Sequence, residues 1–139
     1  MKIREIKYSV IKIPFKGSLK HARKDFSTTE SLVIKLYVDD YIGIGECCPR
    51  KYVTGKALCD TIKVIKSLRK KLLGMSFDTG EEILQYCDEL NMDNSLRAAF
   101  DIALTDVFCK MDNMYLYEYL GGKKRNYIKY DAGAPLTSL

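Results

Sequence analysis

An α+β domain, a three-stranded antiparallel meander followed by a layer of three helices, is the fold that this 139-residue chain predicts. Three observations predict it. Up to Glu46 the chain is rich in β-branched residues that alternate with polar ones, and from Thr54 onward the apolar period switches to that of helices. The stretch Arg97–Gly122 then carries the strongest helical stripe, a short break, a second helical turn and a double glycine.

The elements follow in order. Lys2 to Pro14 carries Ile3, Ile6, Tyr8, Val10, Ile11 and Ile13 and reads as a long strand ended by Pro14. Lys16 to Thr29 reads as a polar loop. Glu30 to Val38 alternates again, Asp39-Asp40 makes a tight turn, and Tyr41 to Glu46 returns as a third strand, so the last two form a hairpin. A first helix is expected from Thr54 to about Leu73, before Gly74. A second runs from Thr79 to about Leu90, with Thr79 and Glu82 at capping-box spacing. The third begins near Asn94 and buries Leu96, Ala99, Phe100, Ala103, Leu104, Val107, Phe108 and Met111, which recur at i, i+3, i+4 and i+7. Gly121 and Gly122 suit the positive φ that ends a helix. Beyond them lie the basic stretch Lys123 to Arg125 and the alternating Tyr127-Ile128-Lys129-Tyr130, and nine residues later the sequence stops. Arg97–Gly122 therefore reads as a junction between two domains, the second of them missing.

Composition sets the remaining bounds. A chain this long with 47% hydrophobic content fits one folded domain with an ordinary core. No apolar run approaches the roughly 18 residues of a membrane span, and the Met1–Glu5 start lacks a secretory h-region, so a soluble, cytoplasmic protein with no membrane partner is expected. Five cysteines at irregular spacing read as structural thiols, Cys59, Cys87 and Cys109 each lying among apolar residues of a helical pattern. No pair shows zinc-ligand spacing. Twenty-three basic against eighteen acidic residues leave a net charge of +5. Lys63, Lys66, Arg69, Lys70 and Lys71 read as the solvated face of a helix whose other side carries Leu58, Ile62, Ile65, Leu68 and Leu72. A nucleic-acid partner is not expected, because neither interleaved aromatics nor a reading helix accompanies the charge.

Three motifs in this order resemble the N-terminal capping domain of the enolase superfamily, in its muconate-lactonizing, mandelate-racemase and dipeptide-epimerase branch. Gly43-Ile44-Gly45-Glu46-Cys47-Cys48-Pro49 is similar to G-x-G-E-x-x-P, followed by Tyr52-Val53-Thr54-Gly55 where Y-x-T-G-E is frequent, with Lys56 in place of the Glu. Arg97 to Asp106 is similar to the helix A-x-D-x-A-L-x-D, and Tyr115 to Gly122 to P-L-x-x-L-L-G-G, with Tyr115 at the Pro. The residues also have plain physical roles. Gly43 and Gly45 permit close backbone approach or a bulge, and Pro49 stops the ladder. The small Ala98, Ala99 and Ala103 allow tight helix packing. Glu46 faces a site or is a hydrogen-bonded structural carboxylate. Asp101 and Asp106, five apart on a helix, point in different directions and make a poor metal pair.

The resemblance implies proton abstraction α to a carboxylate, with Mg²⁺ as cofactor, all carried by a (β/α)₈ barrel. Such a barrel takes about 250 residues. Residues 1–122 are then the capping domain, and 123–139 a linker and stub of the first barrel strand, Tyr127 to Asp131. The chain is expected to hold neither catalytic nor metal residues and to be inactive alone, its partners being its own C-terminal barrel domain, a small carboxylate or dipeptide, and further copies in a homo-oligomer. A capping domain of this kind supplies specificity through two loops, here Lys16 to Thr29 and Cys47 to Gly55. The first carries Lys20, His21, Arg23, Lys24 and Phe26. A cation there could pair with a distal carboxylate, Arg23 best because it binds bidentately; the other reading is a solvated basic loop with His21 at the surface. Tyr52 and Thr54 are the substrate-binding candidates of the second loop. The function expected is the specificity cap of an isomerase or lyase such as a dipeptide epimerase or muconate cycloisomerase. The alternative is a stand-alone binding or oligomerisation module.

Overall fold

The computed structural model describes residues 1–21, 24–90 and 92–130, and of 17–21 and 24–26 the backbone alone. Strands β1 (Ile3–His21), β2 (Lys24–Val38) and β3 (Tyr41–Cys47) form one antiparallel sheet in the order β1-β2-β3. Helices α1 (Lys51–Thr54), α2 (Leu58–Leu72), α3 (Gly80–Glu89), α4 (Asn94–Met111) and α5 (Leu116–Tyr119) follow. The expected meander and helical layer are both present. The turn between β2 and β3 is Asp39-Asp40, with Asp39 at φ 48°, the left-handed conformation that a two-residue hairpin of matching twist requires.

Alternation decides which sheet face is buried. Ile3 and Ile6 of β1, Leu32, Ile34, Leu36 and Val38 of β2, and Cys47 of β3 meet Ile65, Leu68 and Leu72 of α2, Ile83 and Cys87 of α3 and the stripe Leu96, Ala99, Phe100, Ala103, Leu104 and Val107 of α4. Lys63, Lys66, Arg69, Lys70 and Lys71 lie exposed on the other side of α2. Helix starts follow local chemistry. The Asp93 carboxylate accepts from the Ser95 and Leu96 amides at 3.1 and 3.3 Å, and the Thr79 hydroxyl accepts from Glu82 N–H at 3.3 Å. The Glu82 carboxylate reaches back one residue further than a capping box requires, to Asp78 N–H at 3.1 Å.

Three boundaries differ from expectation. Pro14 does not end β1: it pairs with Thr28, the register shifts, and the ladder resumes at Leu19 opposite Phe26. β1 is an edge strand, where a residue without an N–H is tolerated. In consequence the expected loop Lys16 to Thr29 is an extension of the β1–β2 hairpin as far as His21 and from Lys24. The helix expected from Thr54 is split, because Gly55 adopts φ 74° and closes the short α1, and α2 starts after Ala57. Cys59 is exposed, while Cys87 and Cys109 are buried as expected. One position beyond Leu58, Cys59 is turned about 100° off the buried stripe.

Candidate functional site

The site begins where β3 leaves the sheet. Gly43, Gly45 and Cys47 point inward, and Ile42, Ile44 and Glu46 outward. A methyl on Gly43 would overlap the carbonyl oxygen of Ala103, and one on Gly45 that of Ala99. The two glycines thus let β3 lie directly on the backbone of α4. Cys47 continues this contact, its sulfur 3.3 Å from the Ser95 hydroxyl at the start of α4. Burial is the main reason why its thiol is pushed up in pKa. The loop that follows is therefore anchored to the most deeply packed helix.

Pro49 is buried, and Arg50 after it points back to the sheet. Its Nη1 donates to the Glu30 carbonyl at 2.6 Å, and its Nη2 to the Thr29 hydroxyl at 2.6 Å. The Glu30 carboxylate is in turn held by Lys12 Nζ at 2.6 Å, across the ladder. The turn of α1 closes over Thr54, whose hydroxyl accepts from Arg50 N–H at 3.2 Å and donates to the Arg50 carbonyl at 3.1 Å. Thr28, Glu30, Arg50, Lys51, Tyr52 and Leu58 line an open cleft of about 340 Å³ between these segments.

Of the residues singled out from sequence, Tyr52 lines this cleft. Thr54 does not, its hydroxyl being engaged by the backbone of its own turn. His21 and Lys24 pair at the end of the β1–β2 ladder, with Phe26 opposite Leu19. The side chains of His21, Lys24 and Phe26, and the whole of Arg23, lie outside the described residues. Sequence reasoning missed Arg50, Lys51, Thr28 and Glu30. Two consecutive cations directly after Pro49 were the available signal. Glu46 is exposed, with the Cys48 thiol 3.7 Å from its Oε1. Desolvation first, and the Glu46 charge second, push the Cys48 thiol up.

A divalent cation does not fit the residues present. Among the described residues no group of three or more His, Cys, Asp or Glu is placed to hold one. Asp106 Oδ2 accepts from Ile44 N–H at 3.0 Å and from Lys110 Nζ at 2.9 Å, and Lys110 also donates to the Ile42 carbonyl at 2.6 Å. This pair closes the free edge of β3, while Asp101 stays exposed. Beside it, Ile44, Ile102, Cys109, Met114, Leu116 and Leu120 line a mainly apolar groove of about 660 Å³. Tyr127, Ile128 and Tyr130 beyond it are exposed, and the described residues 123–130 form no strand.

No family model matches the chain. The L-Ala-D/L-Glu epimerase of Bacillus subtilis is 34% identical over 126 residues, which cover 88% of this chain and 34% of that protein. The dipeptide epimerase of Cytophaga hutchinsonii, solved in complex with Mg and the dipeptide D-Ala-L-Val, matches with a TM-score of 0.85 at 26% identity over 94% of this chain and 36% of its own. A member of the enolase superfamily from Listeria innocua shares the fold, with a TM-score of 0.75 at 21% identity over 89% of this chain and 34% of its own. The chain has the fold of the N-terminal domain of enolase-superfamily enzymes. The chain spans about a third of the length of the curated relatives it matches. Its G-x-G-E-x-x-P motif is the segment that presses β3 onto α4 and launches the loop carrying Tyr52. Among the described residues, no helix is long and apolar enough to cross a membrane.

Proposed function

We propose that the capping domain selects the substrate of a Mg²⁺-dependent dipeptide epimerase whose N-terminal part it forms. The observation that carries this reading is the likeness, over 88% of the chain, to an enzyme that epimerises an Ala-Glu dipeptide. The cleft between Thr28, Glu30, Arg50 and Tyr52 supports it, since both segments expected to select substrate contribute to one wall. Proton abstraction and its Mg²⁺ belong, on this reading, to residues outside this chain. Residues 1–122 are the cap, and 123–139 lead into the barrel. The apolar groove beside α4 and α5, continuous with exposed Leu116 and Leu120, is the surface that the rest of the complete protein covers. Exposure of Tyr127, Ile128 and Tyr130 speaks against a stand-alone module, which would bury them. Cytoplasmic location and homo-oligomeric assembly are part of the proposal, the former supported by five free thiols.

Within this reading Arg23, Lys24 and His21 supply the cation for the distal carboxylate of an acidic dipeptide, Arg23 best because it binds bidentately, and Phe26 and Tyr52 are further substrate-binding residues. The experiment is Arg23→Ala in the complete enzyme, assayed with paired acidic and neutral dipeptides. The expected result is a fall of about tenfold or more in kcat/KM for the acidic member alone, the equivalent of one charge-assisted contact. Equal kcat/KM values for both members, before and after substitution, would remove Arg23 from the site.

A further inference from the structure

Arg50 belongs to the second substrate-selecting segment and reaches across to Thr29, the end of the first. Nη1 and Nη2 each reach β2 at 2.6 Å, one to the Glu30 carbonyl and the other to the Thr29 hydroxyl, and Nη1 also lies 3.4 Å from the Pro49 carbonyl. The far ends of this link are fixed. Thr29 and Glu30 pair with Ile13 and Lys12 of β1, and Lys12 also binds the Glu30 carboxylate. On the other side, Thr54 brackets the Arg50 backbone through both its N–H and its carbonyl, which holds the short turn bearing Tyr52. A guanidinium is planar, and two of its nitrogens bonded to neighbouring residues fix an angle as well as a distance. A lysine ammonium, a single point of charge on a flexible stem, fixes neither.

We propose that Arg50 is a positioning residue of the substrate wall: it locks the base of the β1–β2 hairpin to the Cys47–Gly55 loop, so that Thr28 and Tyr52 face substrate at a set spacing. This rests on the reading of the domain as the substrate-selecting part of an epimerase. Substrate need not touch Arg50 for its loss to be felt, because a displacement of about 1 Å in a positioning group can cost on the order of a hundredfold.

The test uses the complete gene product with Arg50→Ala, Arg50→Lys, Thr29→Val and the double variant Arg50→Ala/Thr29→Val, each assayed for dipeptide epimerisation and for amide hydrogen exchange. Arg50→Ala is expected to raise KM by about 10- to 100-fold and leave kcat within about threefold, with Arg50→Lys between it and wild type. Thr29→Val is expected to shift KM in the same direction by less, and the double variant to be no worse than Arg50→Ala, since both remove one link. Exchange at Ser31 and Thr54 should accelerate while α4 is unchanged. Multiplying effects in the double variant, a fall in kcat at constant KM, unchanged exchange at Ser31 and Thr54, or acceleration throughout α4 would each overturn the proposal. Should wild-type protein epimerise no dipeptide, the functional reading falls, and the exchange data decide separately whether Arg50 joins the two segments.

Discussion

Gly45 of β3 lies against Ala99 of α4 so closely that a methyl group on the glycine would occupy the space of the Ala99 carbonyl oxygen. Gly43 stands in the same relation to Ala103, with Val107 Cγ2 also against it. Neither glycine is needed for a positive φ. Both are needed for space, and the strand-to-helix distance that they permit sets where the Cys47–Gly55 loop begins. Gly45→Ala should therefore destabilise the domain by about 1–3 kcal/mol, the range for overpacking a filled site. Urea denaturation measures it. Gly55→Ala is the contrast: no atom lies within 4 Å, and φ of 74° alone costs about 1 kcal/mol.

The Asp106–Lys110 pair should contribute through the β3 edge more than through its own charge attraction. Asp106→Ala leaves the Ile44 N–H without its acceptor and the Lys110 ammonium with the Ile42 carbonyl alone. The pair is partly exposed, so solvent screening limits the loss to about 1 kcal/mol. The larger expected change is in self-association, because an uncovered edge strand is a template for another chain. Sedimentation velocity of Asp106→Ala against wild type at equal concentration checks this. Identical profiles would show that the pair does not guard the edge.

Cys87 predicts an alkaline limit to stability. Burial first, and the neighbouring Asp88 charge second, push its thiol up to about 12 from an ordinary 9.0, against a smaller downward pull from Arg97. The native state then keeps a proton that the unfolded state releases. The stabilisation is complete below pH 9 and is lost as pH rises toward 12, with a slope approaching about 1.4 kcal/mol per pH unit. Cys87→Ala removes this term, so its stability should fall less steeply than wild type between pH 9 and 11. Parallel urea midpoints for the two proteins across that window would contradict the assignment.

Thiol labelling gives an independent reading of the same core. Cys48 and Cys59 are exposed, and Cys47, Cys87 and Cys109 are buried. Native protein should therefore modify rapidly at two thiols, and denatured protein at all five. Mass spectrometry after a brief alkylation pulse identifies them. Rapid modification of Cys87 would show that the α3–α4 interface opens.

Local pattern made much of this domain legible. The stripe from Leu96 to Val107 is a strict helical repeat, and two glycines two residues apart on a strand opposite small alanines announce close packing. The features that sequence reading missed depend on neighbours distant in the chain. Pro14 stops a strand only where its missing N–H faces a partner, and edge position is a property of the assembled sheet. Gly55 divides the first helical stretch because it adopts a positive φ, an option open to every glycine but taken by few. Arg50 binds Thr29 and Glu30, some twenty residues earlier, and only the β2–β3 pairing brings them to it. Its spacing to them follows no motif.

The central claim is that this capping domain serves an enzyme that inverts the α-carbon of a dipeptide. The most direct measurement is proton NMR of the complete gene product with Mg²⁺ and L,L-dipeptides in D₂O, following the α-proton of each residue. The account predicts that one α-proton signal of an acidic dipeptide such as L-Ala-L-Glu is lost as its D-epimer appears, and that chelating the metal stops the exchange. Retention of every α-proton across acidic, basic and apolar dipeptides, in protein shown to be folded and metal-loaded, would contradict it.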